Sequence, residues 1–139
     1  MRKRASSSLL FLAALTILSV LVALVAGVTL YLESRSQAQT QAEAMTRGDV
    51  TKGRAAISAY GCGSCHLIPG IHGANGKVGP DLTGVAQRVS LAGSLSNDPE
   101  TMIHWVEHPQ QLRPGSGMPE QGVSATDARN IAAYLYSNR

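Results

Sequence analysis

The sequence predicts an all-α fold, in which one N-terminal transmembrane helix precedes a small domain of short helices. An uncharged apolar run from Leu9 to Leu32 is 24 residues long, so a helix over it measures about 36 Å, enough to cross the hydrocarbon core of a bilayer. Beyond it, helical patterns alternate with loops rich in glycine and proline, without an alternating strand pattern of useful length. We therefore divide the chain into a basic N-terminus (1–8), an anchor (9–32), a polar tether (33–47) and a folded domain (48–139).

The anchor predicts the topology of the chain. Arg2, Lys3 and Arg4 precede the apolar run, and basic flanks stay in the cytoplasm, so the domain is expected on the periplasmic or other extracytoplasmic face. A cleaved signal peptide is the alternative, because Ser36-Gln37-Ala38 has the small-x-small pattern of a cleavage site. Signal cores usually span about 7 to 15 residues. The longer run favours an uncleaved, single-pass anchor.

The net charge of +3 comes from the basic N-terminus alone. Residues 33–139 contain nine Lys and Arg and nine Asp and Glu, so their formal charge is zero. This balance gives no support to nucleic-acid binding, and any steering of partners has to come from a local patch. The tether at 33–47 lacks an apolar stripe and is expected to be solvated, either as a linker or as a helical continuation of the anchor.

Three helices are predicted in the domain from their ends and their apolar faces. The first runs over Asp49 to Tyr60. The second starts at Asp98-Pro99, an N-cap followed by proline at the first helical position, and stops at Pro109. The third starts at Ser124, which with Asp127 has the spacing of a capping box, and runs to the end of the domain.

The most informative motif is Cys62-Gly-Ser-Cys65-His66, which has the spacing of a c-type haem attachment site. Two thiols at this spacing can each add to one vinyl group of the same porphyrin, and the turn then presents His66 to one face of the iron. A thioredoxin-like redox pair would explain the cysteines but not the histidine. A half zinc site would lack its second pair of cysteines. We therefore predict one covalent haem c as the cofactor.

A haem would also complete the core of the domain. Apart from Trp105 and three tyrosines, the domain has no large aromatic side chain, so about 90 residues would build only a thin core by themselves. A buried porphyrin supplies the missing apolar volume. With a single attachment motif, we expect a single haem that is structural as well as functional.

The second axial ligand of the iron is predicted to be Met118. It lies in Arg113–Pro119, where two prolines restrict the backbone and two glycines allow it a close approach to a porphyrin. Met102 falls on the buried face of a predicted helix and Met45 in the tether, so neither is preferred. Ligation by a histidine stays open, the candidates being His72, His104 and His108.

The domain resembles the class I c-type cytochromes over residues 48–139. The likeness rests on the haem attachment motif near the start, Gly79-Pro80-Asp81-Leu82 after it, Met118-Pro119 late, and the closing run Ile131-Ala-Ala-Tyr134-Leu135. More closely, the domain is similar to the cytochrome domain fused to subunit II of some haem-copper oxidases. This likeness rests on Ile68-Pro69-Gly70, the run 76–83, Arg88, Trp105, Pro109-Gln110 and Pro114-Gly115. The dinuclear copper of subunit II requires a further cysteine pair, which this chain lacks, so a free-standing cytochrome is expected.

The resemblance implies a class I cytochrome c fold, with short helices wrapped around one covalent haem, and roles for further residues. The carbonyl of Pro80 would accept the ring N–H of His66, and Arg88 and Trp105 would bind the haem propionates. A close crossing of the first and last helices of the domain is also implied, with Gly53 and Ile57 meeting Tyr134 and Leu135.

The expected function is one-electron transfer without catalysis of bond chemistry. A quinol-oxidising or dehydrogenase complex would be the electron donor, a terminal oxidase or similar protein the acceptor, and no small-molecule substrate is expected. A haem enzyme or gas sensor with a labile distal ligand is one alternative. The other is a cytochrome subunit permanently bound to a larger respiratory complex.

Overall fold

The computed structural model describes residues 7–138 and is mostly helical, which confirms the predicted all-α class. The basic residues Arg2, Lys3 and Arg4 lie outside the described part. The helices are α1 (Ser7–Thr46), α2 (Val50–Ala59), α3 (Pro99–Glu107), α4 (Pro109–Leu112) and α5 (Ala125–Ser137), with 3₁₀ turns at Cys62–Ser64 and Val85–Gln87. A two-residue hairpin, β1 (Ser90–Leu91) and β2 (Leu95–Ser96), pairs Leu91 with Leu95.

The chain divides into two compact units after Ser36. The first consists of the apolar part of α1, which is long and apolar enough to cross a membrane. Its large apolar side chains are exposed, from Leu9 to Leu32. The hydroxyls of Thr16, Ser19 and Thr29 each donate to the backbone carbonyl three residues earlier, at 2.9 Å. These polar groups are therefore satisfied within the helix, as an apolar environment requires.

The second unit starts at Gln37, eleven residues before the boundary predicted from the sequence. The segment 33–47 is a helical continuation of the anchor, and its end is part of the compact unit: Ala42 and Thr46 are buried. The hydroxyl of Thr46 donates to the carbonyl of Ala42 at 2.7 Å. A buried face made of one alanine and one threonine is too narrow and too polar to register as an apolar stripe.

The core of the second unit is built on the crossing of α2 and α5. A Cβ atom added at Gly53 would overlap the carbonyl of Asn130 and touch Tyr134, so the two helix backbones are in direct contact. The Asn130 side chain is buried and accepts the backbone N–H of Asp49 at 2.9 Å. Ile57 on α2 and Leu135 on α5 are buried as well. The close crossing implied by the resemblance is thus observed.

The helix caps predicted at Asp98 and Ser124 are observed, and Asp49, predicted as the first residue of its helix, is a cap as well. Each side chain accepts a hydrogen bond from the backbone N–H three residues further on, at 2.9 to 3.1 Å. These bonds satisfy donors that have no partner inside the helix. They are also the main reason that the pKa values of Asp49 and Asp98 are lowered.

The substitution Gly53→Ala tests the crossing. Alanine favours an isolated helix over glycine by about 1 kcal/mol, but here its methyl group collides with the backbone of α5. Overpacking of this kind typically costs about 1 to 3 kcal/mol, and the cost should lie in the upper half of that range because the methyl group meets backbone atoms of Asn130. After the helix gain is subtracted, we expect a net loss of about 1 to 2 kcal/mol in the free energy of urea-induced unfolding. Ser58→Ala, on the exposed face of the same helix, is the control and should leave stability within about 0.5 kcal/mol. Equal stability of the two variants would contradict the close crossing.

Candidate functional site

The two cysteines lie on a tight turn that also carries His66. The 3₁₀ turn starts at Cys62, whose carbonyl accepts the N–H of Cys65 at 3.3 Å and that of His66 at 3.0 Å. Both thiols are free and partly buried. One short turn therefore delivers two thiols and an imidazole to the same region of the surface.

The His66 ring is fixed by the loop that contains Gly79 and Pro80. Its Nδ1 atom lies 2.8 Å from the Pro80 carbonyl oxygen, which can only accept, so Nδ1 carries the proton; in the neutral tautomer of the ring the lone pair is then on Nε2. The backbone N–H of Gly79 donates to the Cys65 carbonyl at 2.8 Å. A Cβ atom at Gly79 would collide with three atoms of the imidazole. The absence of a side chain at this position therefore lets the loop lie against the ring.

Backbone hydrogen bonds hold both ends of this loop against the segment that starts at the cysteine turn. They join Gly76 to Gly63 at 3.1 Å and Leu82 to Leu67 at 2.9 Å. A further bond, from Ile68 to Ala74 at 3.1 Å, closes the chain between the turn and the loop. The hydroxyl of Tyr134 on α5 donates to the Pro69 carbonyl at 2.6 Å. The site is thereby connected to the helix crossing.

The environment of Cys62 disfavours a thioredoxin-like role. Burial, and to a smaller extent the neighbouring Cys65, raise the pKa of the Cys62 thiol, whereas a reactive redox cysteine needs a lowered pKa. A zinc site is also unsupported, because residues 7–138 contain no group of three or more His, Cys, Asp or Glu side chains arranged to hold a metal ion. Haem attachment is the interpretation that uses both thiols and the histidine.

Met118 lies in a separate loop and is half-buried. The loop is held by Gln110 on α4, whose side-chain amide donates to the Met118 carbonyl at 2.6 Å. Met102 is 2% exposed in the core, in accordance with its predicted packing role, and Met45 is 42% exposed on α1. Within the described residues, no hydrogen bond joins the Met118 loop to the His66 turn, so the two candidate ligands belong to separately held segments.

Arg88 and Trp105, the predicted partners of the haem propionates, lie on different segments of the domain. The guanidinium Nη2 of Arg88 donates to the carbonyls of Asp81 and Thr83, the latter at 3.1 Å, and so closes the loop over 81–88. Hydrogen bonds from Thr83 also lower the pKa of the Asp81 carboxyl. Trp105 is half-buried on α3. Their binding of haem propionates stays a prediction.

The other histidines occupy peripheral positions. His72 and His104 are exposed. The two ring nitrogens of His108 face the carboxylates of Glu107 and Glu120, each at 3.6 Å. Its ring lies edge-on to that of His104, with 6.0 Å between centroids. His108 is thus already engaged by carboxylates.

Sequence reasoning missed Asn97, which joins the loop over 81–88 to α5. Its amide nitrogen donates to the carbonyls of Val85 at 2.8 Å and Arg88 at 2.6 Å, and its oxygen accepts the Tyr136 hydroxyl at 2.8 Å. Burial, together with the charge of Asp98, raises the pKa of Tyr136 to about 12. A single asparagine in a loop leaves no periodicity that could have identified it.

The donor set fits a covalently attached haem. The cysteine turn offers two thiols, and the imidazole of His66 is oriented with Nε2 available to a metal. Because Gly79 has no side chain to collide with the imidazole, the neighbouring Pro80 carbonyl can reach the ring. A soft thioether at Met118 is a ligand type that haem iron accepts.

Comparison with known proteins gives one family and two relatives. The family model described as cytochrome c matches residues 50–139. Cytochrome c oxidase subunit 2 of Alkalihalophilus pseudofirmus is 32% identical over 98 residues, which is 70% of this chain but only 28% of the oxidase subunit. Cytochrome c2 of Agrobacterium tumefaciens is 33% identical over 104 residues, which is 63% of this chain and 90% of the relative. No solved structure gives a significant match.

The substitution Gly79→Ala tests the support of the His66 ring. The added methyl group should push the imidazole away from the Pro80 carbonyl and expose the Nδ1 proton to solvent. We expect the slowly exchanging Nδ1–H signal of His66 in the proton NMR spectrum to be lost. Val78→Ala, at the neighbouring side chain that is 85% exposed, is the control and should preserve it. Retention of the signal in Gly79→Ala would show that the ring is held by other means.

Proposed function

Because the chain belongs to the cytochrome c family, we propose that it is a membrane-anchored one-electron carrier with a single haem c. The family supports covalent haem c and electron transfer, and the chain has only two cysteines, enough for one attachment site. The observation that carries the proposal is the fixed His66 ring, 2.8 Å from the Pro80 carbonyl, on a turn with two free thiols. When bound, the haem supplies an iron that alternates between the ferrous and ferric states.

In this proposal, His66 is the permanent axial ligand. Its Nδ1–H bond to Pro80 fixes the tautomer and the ring orientation and increases the basicity of Nε2, a supporting interaction that adjusts both affinity and potential. The backbone bonds between the cysteine turn and the Gly79 loop keep this geometry rigid. A rigid ligand reduces the rearrangement that accompanies each change of redox state.

Met118 is proposed as the second axial ligand. A neutral thioether raises the potential relative to a second imidazole. Two protein ligands leave no position for a substrate, which supports a carrier over an enzyme or a gas sensor. Met102 is better explained as a packing residue, since it is 2% exposed on α3.

Arg88 and Trp105 are proposed as partners of the haem propionates. Arginine has five N–H donors, and Nη2 is the donor that binds the carbonyls of Asp81 and Thr83. The remaining donors are suited to a carboxylate. Trp105 has one indole N–H with which to add a second contact.

The proposed setting is the extracytoplasmic face of a membrane. The apolar part of α1 would span the bilayer once, with the N-terminus in the cytoplasm. The similarity to an oxidase subunit supports a terminal oxidase as the acceptor, and a quinol-oxidising or dehydrogenase complex would be the donor. The same similarity supports a second candidate, a cytochrome permanently bound to such a complex. Co-purification from detergent extracts distinguishes the two.

The substitution Met118→Ala tests the ligand and, with it, the carrier function. Loss of the thioether should open the iron to exogenous ligands, so the ferrous protein should bind carbon monoxide readily and the ferric protein should lose the weak sulfur-to-iron charge-transfer band. The potential should fall as the thioether is lost. Optical titration with carbon monoxide and potentiometry measure these effects.

Met102→Ala is the matched control for Met118→Ala. It should keep the charge-transfer band and lower only the stability, by about 2 to 5 kcal/mol for a buried methionine. A native protein that lacks the band and binds carbon monoxide readily would contradict the carrier and favour a sensor or an enzyme.

The N-terminal sequence of the mature protein tests whether the apolar segment is kept as an anchor. Protein extracted from membranes with detergent should have an N-terminal sequence at or near Met1, because an apolar run of this length exceeds a signal core. Protease added to intact spheroplasts should digest the haem domain. Recovery of only a soluble form that begins within the tether, at Thr40 or earlier, would instead identify a cleaved signal peptide.

A further inference from the structure

We propose that Gln110 is a positioning residue that holds the Met118 loop in the conformation needed for iron ligation. This inference rests on the proposed function, in which Met118 is the second axial ligand. It concerns a residue to which neither the haem motif nor the family resemblance assigns a role. Its basis is the set of hydrogen bonds that the Gln110 side chain makes.

The Gln110 amide contacts three residues of the loop. Its Nε2 donates to the Met118 carbonyl at 2.6 Å, the Ser116 carbonyl at 3.0 Å and the Ser116 hydroxyl oxygen at 2.9 Å. Its Oε1 accepts the backbone N–H of Gly115 at 3.0 Å. One side chain therefore binds polar groups of the loop from Gly115 to Met118, the proposed ligand.

The position of Gln110 is itself fixed. It follows Pro109, one of the most completely buried side chains of the chain. Its backbone N–H donates to Oε1 of Glu120 at 2.9 Å. Because Glu120 lies just beyond Met118, the chain from 110 to 120 forms a loop closed by hydrogen bonds from both sides.

The loop needs such a closure because its sequence gives it little rigidity of its own. Between Arg113 and Met118 it contains Gly115 and Gly117, whose backbones lose the most conformational freedom on ordering. Besides the Gln110 contacts, the loop has a backbone bond from the Ser116 N–H to the Arg113 carbonyl at 3.1 Å and a bond from the Ser116 hydroxyl to the Met118 carbonyl at 3.2 Å. The Arg113 side chain also donates to the Ala92 carbonyl. An intrinsic ligand competes with external ligands in proportion to the time its loop spends in the binding conformation.

The test compares three variants of the full-length, detergent-solubilised holoprotein. Gln110→Ala removes all the side-chain bonds. Gln110→Glu keeps an oxygen for the Gly115 N–H but has no N–H to donate. Gln111→Ala changes the exposed neighbour on the same helix and is the matched control. The readouts are the sulfur-to-iron charge-transfer band and the affinity of the ferric protein for imidazole.

If Gln110 holds the loop, both Gln110 variants should bind imidazole about tenfold more tightly than the native protein, because each lost hydrogen bond weakens the closed state severalfold. The charge-transfer band should weaken in both. Gln111→Ala should match the native protein. If Gln110→Ala cannot be purified with haem, Gln110→Glu and Ser116→Ala decide the question by the same measurements.

Two results would overturn the proposal in different ways. Native-like imidazole affinity in Gln110→Glu would show that the amide donors do not hold Met118, even where Met118→Ala opens the iron as expected. An unchanged charge-transfer band and unchanged imidazole affinity in Met118→Ala would show that Met118 is not a ligand of the iron, and the proposed function would then fail as well. The two failures are therefore distinguishable.

Discussion

The hydrogen bond between His66 Nδ1 and the Pro80 carbonyl is the interaction around which the site is organised. It requires a glycine at position 79, where the backbone lies against the ring and any side chain would collide with the imidazole. It also requires the loop to run beside the cysteine turn, which the backbone bonds ensure. Tyr134 then connects the turn to α5 through the Pro69 carbonyl. The orientation of one ring thus depends on contacts that extend to the helix crossing at Gly53.

Polar side chains hold several loops of a domain whose core is rich in alanine and poor in large aromatic side chains. Asn97 and Asn130 bind backbone groups of other segments of the domain, and Gln110 binds those of the loop that follows it. Within residues 7–138, every buried side-chain nitrogen or oxygen has a hydrogen-bond partner, so these amides order loops without the cost of unsatisfied polar groups.

The sequence predicted those features that depend on neighbouring residues. The caps at Asp98 and Ser124 were recognisable because a cap and its helix are adjacent, and the cysteine motif because its chemistry lies within five residues. The Asn97 and Gln110 contacts were not predictable, since an isolated amide has no period and its partners are set by the tertiary fold. The start of the compact unit at Gln37 was missed for a related reason: Ala42 and Thr46 become buried only through packing.

The two proposed ligands are supported by different kinds of structure, and this difference bears on electron transfer. His66 is held by its bond to the Pro80 carbonyl, on a loop that backbone hydrogen bonds attach to the cysteine turn. Met118 is held mainly through one side chain, Gln110, which is itself fixed at Pro109 and Glu120. Ligand exchange should therefore begin on the methionine side, while the histidine side keeps the haem in place. The two proposed ligands can therefore be perturbed separately. A substitution at Gly79 disturbs the support of His66, and a substitution at Gln110 disturbs the loop that holds Met118.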